Sequence, residues 1–366
     1  MASEDDGEIE FAPRPRRVTL GRVAAALVLL LAAGFFVGLY VLLSREKPPS
    51  PAERLVAIVV RLPRLPPAPT QPGDATAPPS DTGALPAPTP PRDRPPTQPL
   101  APAPDPGLVE TGPDGPLPII GADGREPWRV YARPFDKSDR RPRVAIIITG
   151  LGPTSAITES GIADLPGAVT LAFDPYTRHL GEFIARARAQ GHEVMLALPM
   201  EPSDFPRQDP GPYTLLTSLS PRENLDRLDW VLSRVTGYVG LTNMMGSRFT
   251  TSQVNLVPVF EELKKRGLLF VDGRASEQSV AGQLAGSMGV PRVTADDTLD
   301  SETTADAIDH HLALIEETAK KSGAALGIGF AYPLTFERIA LWSKTLDAKG
   351  LALSPASALA EPKATK

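Results

Sequence analysis

Tyr238-Val239-Gly240-Leu241-Thr242-Asn243-Met244-Met245-Gly246-Ser247-Arg248-Phe249-Thr250 decides the fold. A short β-prone run, Tyr238 to Leu241, passes into a polar, glycine-bearing turn. Where strands alternate with helices, such a turn stands at the carboxyl end of a strand, and that is where α/β folds gather their functional groups. Two further strand ends belong with it: Ile146-Ile147-Ile148-Thr149-Gly150-Leu151-Gly152 and Leu326-Gly327-Ile328-Gly329-Phe330.

Outward from these stretches, strands are expected at 144–149, 169–174, 193–198, 238–241, 268–272, 291–294, 325–329 and 351–354. They are short, rich in Val, Ile and Leu and without strict alternation, as strands covered on both faces are. Helical periodicity separates most of them. Ser220-Pro221-Arg222-Glu223 opens one helix with a capping box and a proline in the first turn, and Leu225, Leu228, Leu232 and Val235 share its apolar face. Val257, Phe260 and Leu263 mark a second, stopped by Arg266-Gly267, and Ala305, Ile308, Leu312, Ile315 and Ala319 a third. This alternation makes the chain α/β with a parallel sheet, closed into a barrel or, as the alternative, open and doubly wound.

The three strand ends resemble the divergent polysaccharide deacetylase family, a distant branch of the NodB-like carbohydrate esterases. Family members commonly read Ile-Asp-Asp-Leu-Gly, Asn-Asn-His-Met-Gly-Ser and Gly-His-Pro at these places. Gly191-His192-Glu193, Leu198-Pro199-Met200-Glu201-Pro202, Asp209-Pro210-Gly211-Pro212 and Leu268-Leu269-Phe270-Val271-Asp272-Gly273-Arg274 extend the likeness. It covers about residues 142–359 and implies a distorted (β/α) barrel of the NodB-like deacetylase type, an envelope polysaccharide or peptidoglycan as substrate, and a divalent metal held by one aspartate and two histidines. The matching positions here are Thr149-Gly150, Met244 and Phe330. A neutral hydroxyl, a soft thioether and a benzyl group do not suit Zn²⁺, Mg²⁺ or Mn²⁺, so no metal or other cofactor is expected. Either the site is remodelled for hydrolysis, or the protein is an inactive scaffold binding a glycan or an envelope protein.

Deacetylation needs an activated water, a base and an acid. Asp272 and Glu201, just past strand ends, are the catalytic candidates; their simpler reading is to cap helices or to pair with Arg274 and Arg178. Asn243, Ser247, Asp174, Tyr176, His192 and Arg274 form the candidate substrate-binding set, although turn residues such as Asn243 and Ser247 also bind their own backbone. His192 precedes a strand and reads more simply as a structural hydrogen-bonding group. His310 and His311 fall in a helix and face different directions, so they are no metal pair and belong to the surface. Asp296, Asp297 and Asp300 lack the glycine and terminal glutamate of a calcium loop and read as a solvated turn. Trp230 and Trp342 suit outer-layer packing, Tyr176 and Tyr332 the wall of a cleft.

The 366-residue chain also carries a non-globular part: more than half of its 42 prolines fall between Lys47 and Pro118. Proline fixes φ and removes a donor, so this stretch reads as a semi-rigid polyproline spacer that cannot build a sheet. Ahead of it, Val23 to Leu43 is apolar over about the length that crosses a bilayer. Arg14, Arg16, Arg17 and Arg22 precede the run, which favours a cytoplasmic amino terminus. The expected organisation is a cytoplasmic tail (1–21), one transmembrane signal anchor in the inner membrane (22–43), a Pro-rich linker (44–118) and a periplasmic folded domain (119–366). A net charge of -5 with no basic run gives no reason to expect a nucleic-acid partner, and the absence of cysteine excludes disulfides and thiolate sites.

Overall fold

The computed structural model describes residues 98–360. The expected tail, the signal anchor and most of the expected linker lie outside the described residues. Within them, no helix is long and apolar enough to cross a membrane.

The Val, Ile and Leu runs become parallel strands. In chain order these are β3 (Arg143–Leu151), β4 (Thr170–Phe173), β5 (Val194–Met200), β6 (Gly240–Met245), β7 (Leu269–Asp272), β8 (Arg292–Thr294), β9 (Asp297–Thr298) and β10 (Ala324–Phe330), after a small hairpin of β1 (Val109–Thr111) and β2 (Pro116–Pro118). They adjoin in the order β8-β7-β6-β5-β4-β3-β10-β9, with β11 (Ala352–Ser354) beside the first residues of β3. The two outer strands are consecutive in sequence, separated by Ala295 and Asp296 alone. Ala295 donates its N–H to Asp272 O and Asp296 donates to Leu326 O, so one run of chain serves both margins. The sheet is thereby curled, which removes the open doubly wound alternative. It forms a half-barrel rather than an even ring, because the run at 292–298 contributes pairings only two and three residues long.

Ala145, Ile147, Ala172, Met195, Leu269, Val271, Leu326 and Ile328 fill the inner face of the curl with Leu108, Trp128 and Tyr131. Gly240 belongs to this face for a steric reason: a Cβ there would lie 1.9 Å from the carbonyl oxygen of Leu269 on the next strand. Helix α1 (Pro127–Val130) sets Trp128 into this inner cluster, and the other helices pack outside: α2 (Ser155–Asp164), α3 (Leu180–Ala189), α4 (Pro221–Leu232), α5 (Gln253–Lys265), α6 (Ala281–Ser287), α7 (Ala305–Ser322) and α8 (Pro333–Ser343). The capping box at Ser220 and Glu223 forms in both directions. Helix α5 ends where Arg266 and Gly267 were expected to stop it, with Gly267 at φ 63°.

Three expectations are corrected. The strand expected to end at Leu241 continues to Met245, because Asn243, Met244 and Met245 pair with Leu198, Pro199 and Met200. The turn expected at Asp296, Asp297 and Asp300 is instead the sheet margin: Asp296 and Asp300 accept the N–H groups of Leu326 and Phe330, each at 2.8 Å. Packing also begins ahead of Ile119. Leu108 and Leu117, apolar among prolines, are buried, and the hairpin pairs Val109 with Pro118 and Thr111 with Pro116. A two-stranded edge needs few proline N–H groups, which is how this segment forms a ladder at all.

Candidate functional site

Side chains alternate along a strand, so the inner-face residues locate the mouth of the curl. Ile147 is followed on the same face by Thr149, Ala172 by Asp174 and Ile328 by Phe330. Met244 faces the same way, because it pairs with Pro199, two residues on from Ala197 and four from Met195. Exposure rises at these places: Ile147 is fully buried, Thr149, Asp174 and Met244 are half-buried, and Phe330 is 43% exposed. The three positions where the resemblance implies metal ligands therefore share one open rim. Thr149 and Phe330 are direct register partners across β3 and β10.

That rim lacks the donors for a divalent ion. Phe330 has no donor atom, Met244 offers a soft sulfur and Thr149 a neutral hydroxyl, and hard or borderline cations take carboxylate and imidazole. Among the described residues, no group of three His, Cys, Asp or Glu side chains converges to hold a metal.

Asp272 follows the inward Val271 and points the other way, 2% exposed, toward α6. Its Oδ1 accepts from Arg274 N (3.0 Å), its Oδ2 from Ser279 Oγ (2.8 Å) and Gly282 N (3.1 Å). This bonding organises the β7–α6 loop. Glu201, 4% exposed, accepts from Thr217 N (2.5 Å) and Thr217 Oγ1 (2.7 Å) and pairs with Arg248 at 3.3 Å. It ties the loops after β5 and β6. The two candidate catalytic carboxylates are thus engaged in separate structural networks.

Asn243 bridges β6 and β7, accepting from Gly273 N and donating to Met245 O, both at 2.7 Å. Ser247 Oγ accepts from Ser203 N at 2.9 Å and joins two rim loops. Arg274 is exposed and left-handed (φ 50°) at the turn beyond β7. His192 stands apart, wholly buried at the amino end of β5, its ring nitrogens 2.9 Å from Val169 O and 3.1 Å from Ile162 O. Its burial at that end keeps it away from the rim.

Asp174 is the carboxyl group that faces the mouth. Burial pushes it above the usual carboxylate range, against the opposing hydrogen bond from Tyr176 N at 2.7 Å. Tyr176 accepts from Tyr213 N at 2.9 Å, and burial pushes its phenol up to about 12. Tyr213 stacks on Trp230 at 3.6 Å between ring centres, and Arg234 lies over the same indole. Across the rim, Phe330 and Tyr332, each 43% exposed, stand 6.2 Å apart. Trp342 is packed beneath α8 with its Nε1 on Glu316.

Sequence reasoning missed Asp300 and its neighbours. Asp300 Oδ2 accepts from Phe330 N and from Thr335 Oγ1 (2.7 Å), positioning the β10 end of the rim. His311, expected at the surface, bonds Asp297 through Nδ1 (2.7 Å) and lies 3.3 Å from Ser301 Oγ through Nε2. This chain of groups fastens α7 to β9 on the outer side of the sheet. The signal available in the sequence was the Thr298-Leu299 pair among the aspartates, which suits a strand better than a turn.

The sequence profile of the divergent polysaccharide deacetylase family matches residues 146–360. An uncharacterized protein of Agrobacterium tumefaciens C58, ATU2773, has a crystal structure similar to this one: 38% identity, TM-score 0.65, covering 67% of this chain and 99% of that one. Escherichia coli YibQ is 26% identical over 193 residues, which is 53% of this chain and 60% of YibQ. An uncharacterized Haemophilus influenzae protein is 25% identical over 193 residues and 68% of its length. The matched part thus spans about three fifths of the E. coli relative.

Proposed function

The chain belongs to the divergent polysaccharide deacetylase family, and on that premise we propose that it binds an envelope polysaccharide, such as peptidoglycan, at the carboxyl-end rim without metal-dependent hydrolysis. The observation that carries this reading is the rim itself: Thr149, Met244 and Phe330 occupy the expected ligand positions, and none is a carboxylate or an imidazole. What the rim offers instead is ring surface from Phe330, Tyr332 and Tyr176, with polar groups on Asn243, Ser247, Asp174 and Arg274 around it. Sugars present apolar C–H faces and hydroxyl edges, which such a surface matches. The protein then acts as a membrane-anchored scaffold of the envelope, held through Val23–Leu43 with its folded part in the periplasm. A partner protein of the envelope would dock on the same assembly.

One observation favours a catalytic alternative. Asp174 faces the mouth with a carboxyl group raised by burial, the direction of change that favours a general acid. On that reading, Asp174 rather than Asp272 or Glu201 carries proton transfer.

The deciding experiment measures three quantities on the purified full chain: bound divalent metal, affinity for chitooligosaccharides and muropeptides, and acetate release. Glycan binding without stoichiometric metal and without acetate supports the scaffold. Acetate release abolished by Asp174→Asn supports the alternative. Acetate release that requires stoichiometric metal overturns both. Amino-terminal sequencing of the mature protein tests the anchor: a start beyond Leu43 would sink it.

A further inference from the structure

The opposite end of the sheet holds a feature that the rim does not explain. A cleft of about 470 Å³ opens at the amino-terminal end of β3, lined by Trp128, Arg129, Arg133, Phe135, Lys137 and Arg143 among others, with Ser357 and Ala358 at one side. Four cationic side chains line it and, among the described residues, no carboxylate does. Of the acids nearest in sequence, Asp136 accepts from Ser138 and Asp139 pairs with Arg141, while Glu126 pairs with Arg129 and so offsets one of the four cations.

Arg133 and Arg143 carry the argument. The side-chain hydrogen bonds of both end on neutral main-chain carbonyls, Arg133 Nη1 on Gly191 O (2.7 Å) and Arg143 Nη1 on Ala358 O (2.9 Å). Neither has a carboxylate at ion-pair distance among the described residues. Arg133 is half-buried, and desolvation lowers its pKa even though Glu193 opposes the change. Burial also pushes the Glu193 carboxyl up, against the hydrogen bonds it accepts from Ser357, Arg133 N and Thr170. A desolvated guanidinium without an anion is costly, and an incoming oxyanion relieves that cost. The forks are also held in place beforehand. Arg143 lies 4.9 Å over the Phe135 ring, so its stacked plane keeps the edge N–H groups not spent on Ala358 O for a ligand, and Arg129 lies 4.2 Å over Trp128.

We propose that this cleft binds an oxyanion of the phosphate class, carried on a ligand whose apolar or ring-shaped portion rests against Trp128 and Phe135. Phosphate accepts from planar guanidinium forks in bidentate geometry, and the aromatic walls exclude water from the pair. Such a group comes either as a free phosphate compound or as the headgroup of an anionic lipid. The site is separate from the rim and does not depend on the glycan reading.

The test titrates the full chain with inorganic phosphate by calorimetry and, separately, measures its retention on phosphatidylcholine vesicles with and without phosphatidylglycerol. Saturable, salt-sensitive phosphate binding that weakens at least about tenfold in Arg143→Gln assigns a soluble anion. Extra retention on the phosphatidylglycerol vesicles that Arg143→Gln abolishes, without phosphate binding, assigns a lipid headgroup. Lys137→Gln, at an exposed position, carries the same test where Arg143→Gln fails to fold. Absence of both effects, or either effect unchanged in the variants, overturns the proposal. Glycan binding is unaffected in every case.

Discussion

Thr149 on β3 and Phe330 on β10 are register partners, so two of the three positions that hold metal in the resemblance are adjacent on neighbouring strands. Met244, three strands away around the curl, faces the same opening. The three positions share one rim, while their side chains carry no carboxylate or imidazole donor. Installing donors should therefore create a metal site. In the combined variant Thr149→Asp, Met244→His, Phe330→His, Zn²⁺ affinity by calorimetry is expected to exceed that of the parent by at least about a hundredfold. Equal affinities would mean that the strand ends do not converge.

Asp300 gives a pH prediction. Its Oδ1 is buried with no hydrogen-bond partner among the described residues, and burial pushes the carboxyl up against the bonds from Thr335 and Phe330 N–H. A carboxyl whose folded pKa is raised adds stability that is complete below the unfolded value, about 3.9, and is lost as pH rises through the folded one. Asp300→Asn keeps the acceptor and cannot ionise. Thermal melting should show the parent losing ground to the variant as pH rises above about 4. A constant difference across that range would refute the assignment.

Glu193 is a costly carboxylate to truncate. Fully buried, it accepts from Thr170 Oγ1 (3.1 Å), Ser357 N (3.1 Å), Ser357 Oγ and Arg133 N (3.3 Å). Glu193→Ala strands these donors beneath the sheet. The expected loss is about 2–4 kcal/mol, or roughly 5–12 °C in Tm. Hydrogen exchange at Ser357 should accelerate with it.

Much of this was legible in the chain, for identifiable reasons. The capping box at Ser220 and the Arg266-Gly267 stop are local chemistry, and both formed. Parallel strands announced themselves by apolar runs, and alternation past Ile147 and Ile328 put Thr149 and Phe330 on the rim. The direction of Asp272 was not legible, because strand parity depends on which neighbour packs inside, and only the pairing of Val271 with Thr242 settles it. The same limit hid the margin at 292–298. Its pairings are so short that no periodic signal accumulates, and its stability comes from aspartates bonding to the backbone of β10. The hairpin at 109–118 was hidden by its prolines, whereas its order comes from contacts distant in sequence, such as Arg266 with Pro118 O and Glu110.

The aromatic rim makes the last prediction. Phe330 and Tyr332 already face solvent, so removing either ring opens little core, and Tm should hardly move. If they receive a sugar face, each covers apolar surface only in the complex, at about 25 cal/mol per Å². Phe330→Ala and Tyr332→Ala are each expected to weaken chitooligosaccharide binding by about 1–2 kcal/mol, read by calorimetry. Standing 6.2 Å apart, they should combine non-additively. Leu341→Ala, similarly exposed on α8 but not on a strand end, serves as the control and should leave affinity unchanged. Equal effects at all three positions would mean that the rings offer nonspecific surface, and the glycan would then have to be sought elsewhere on the molecule.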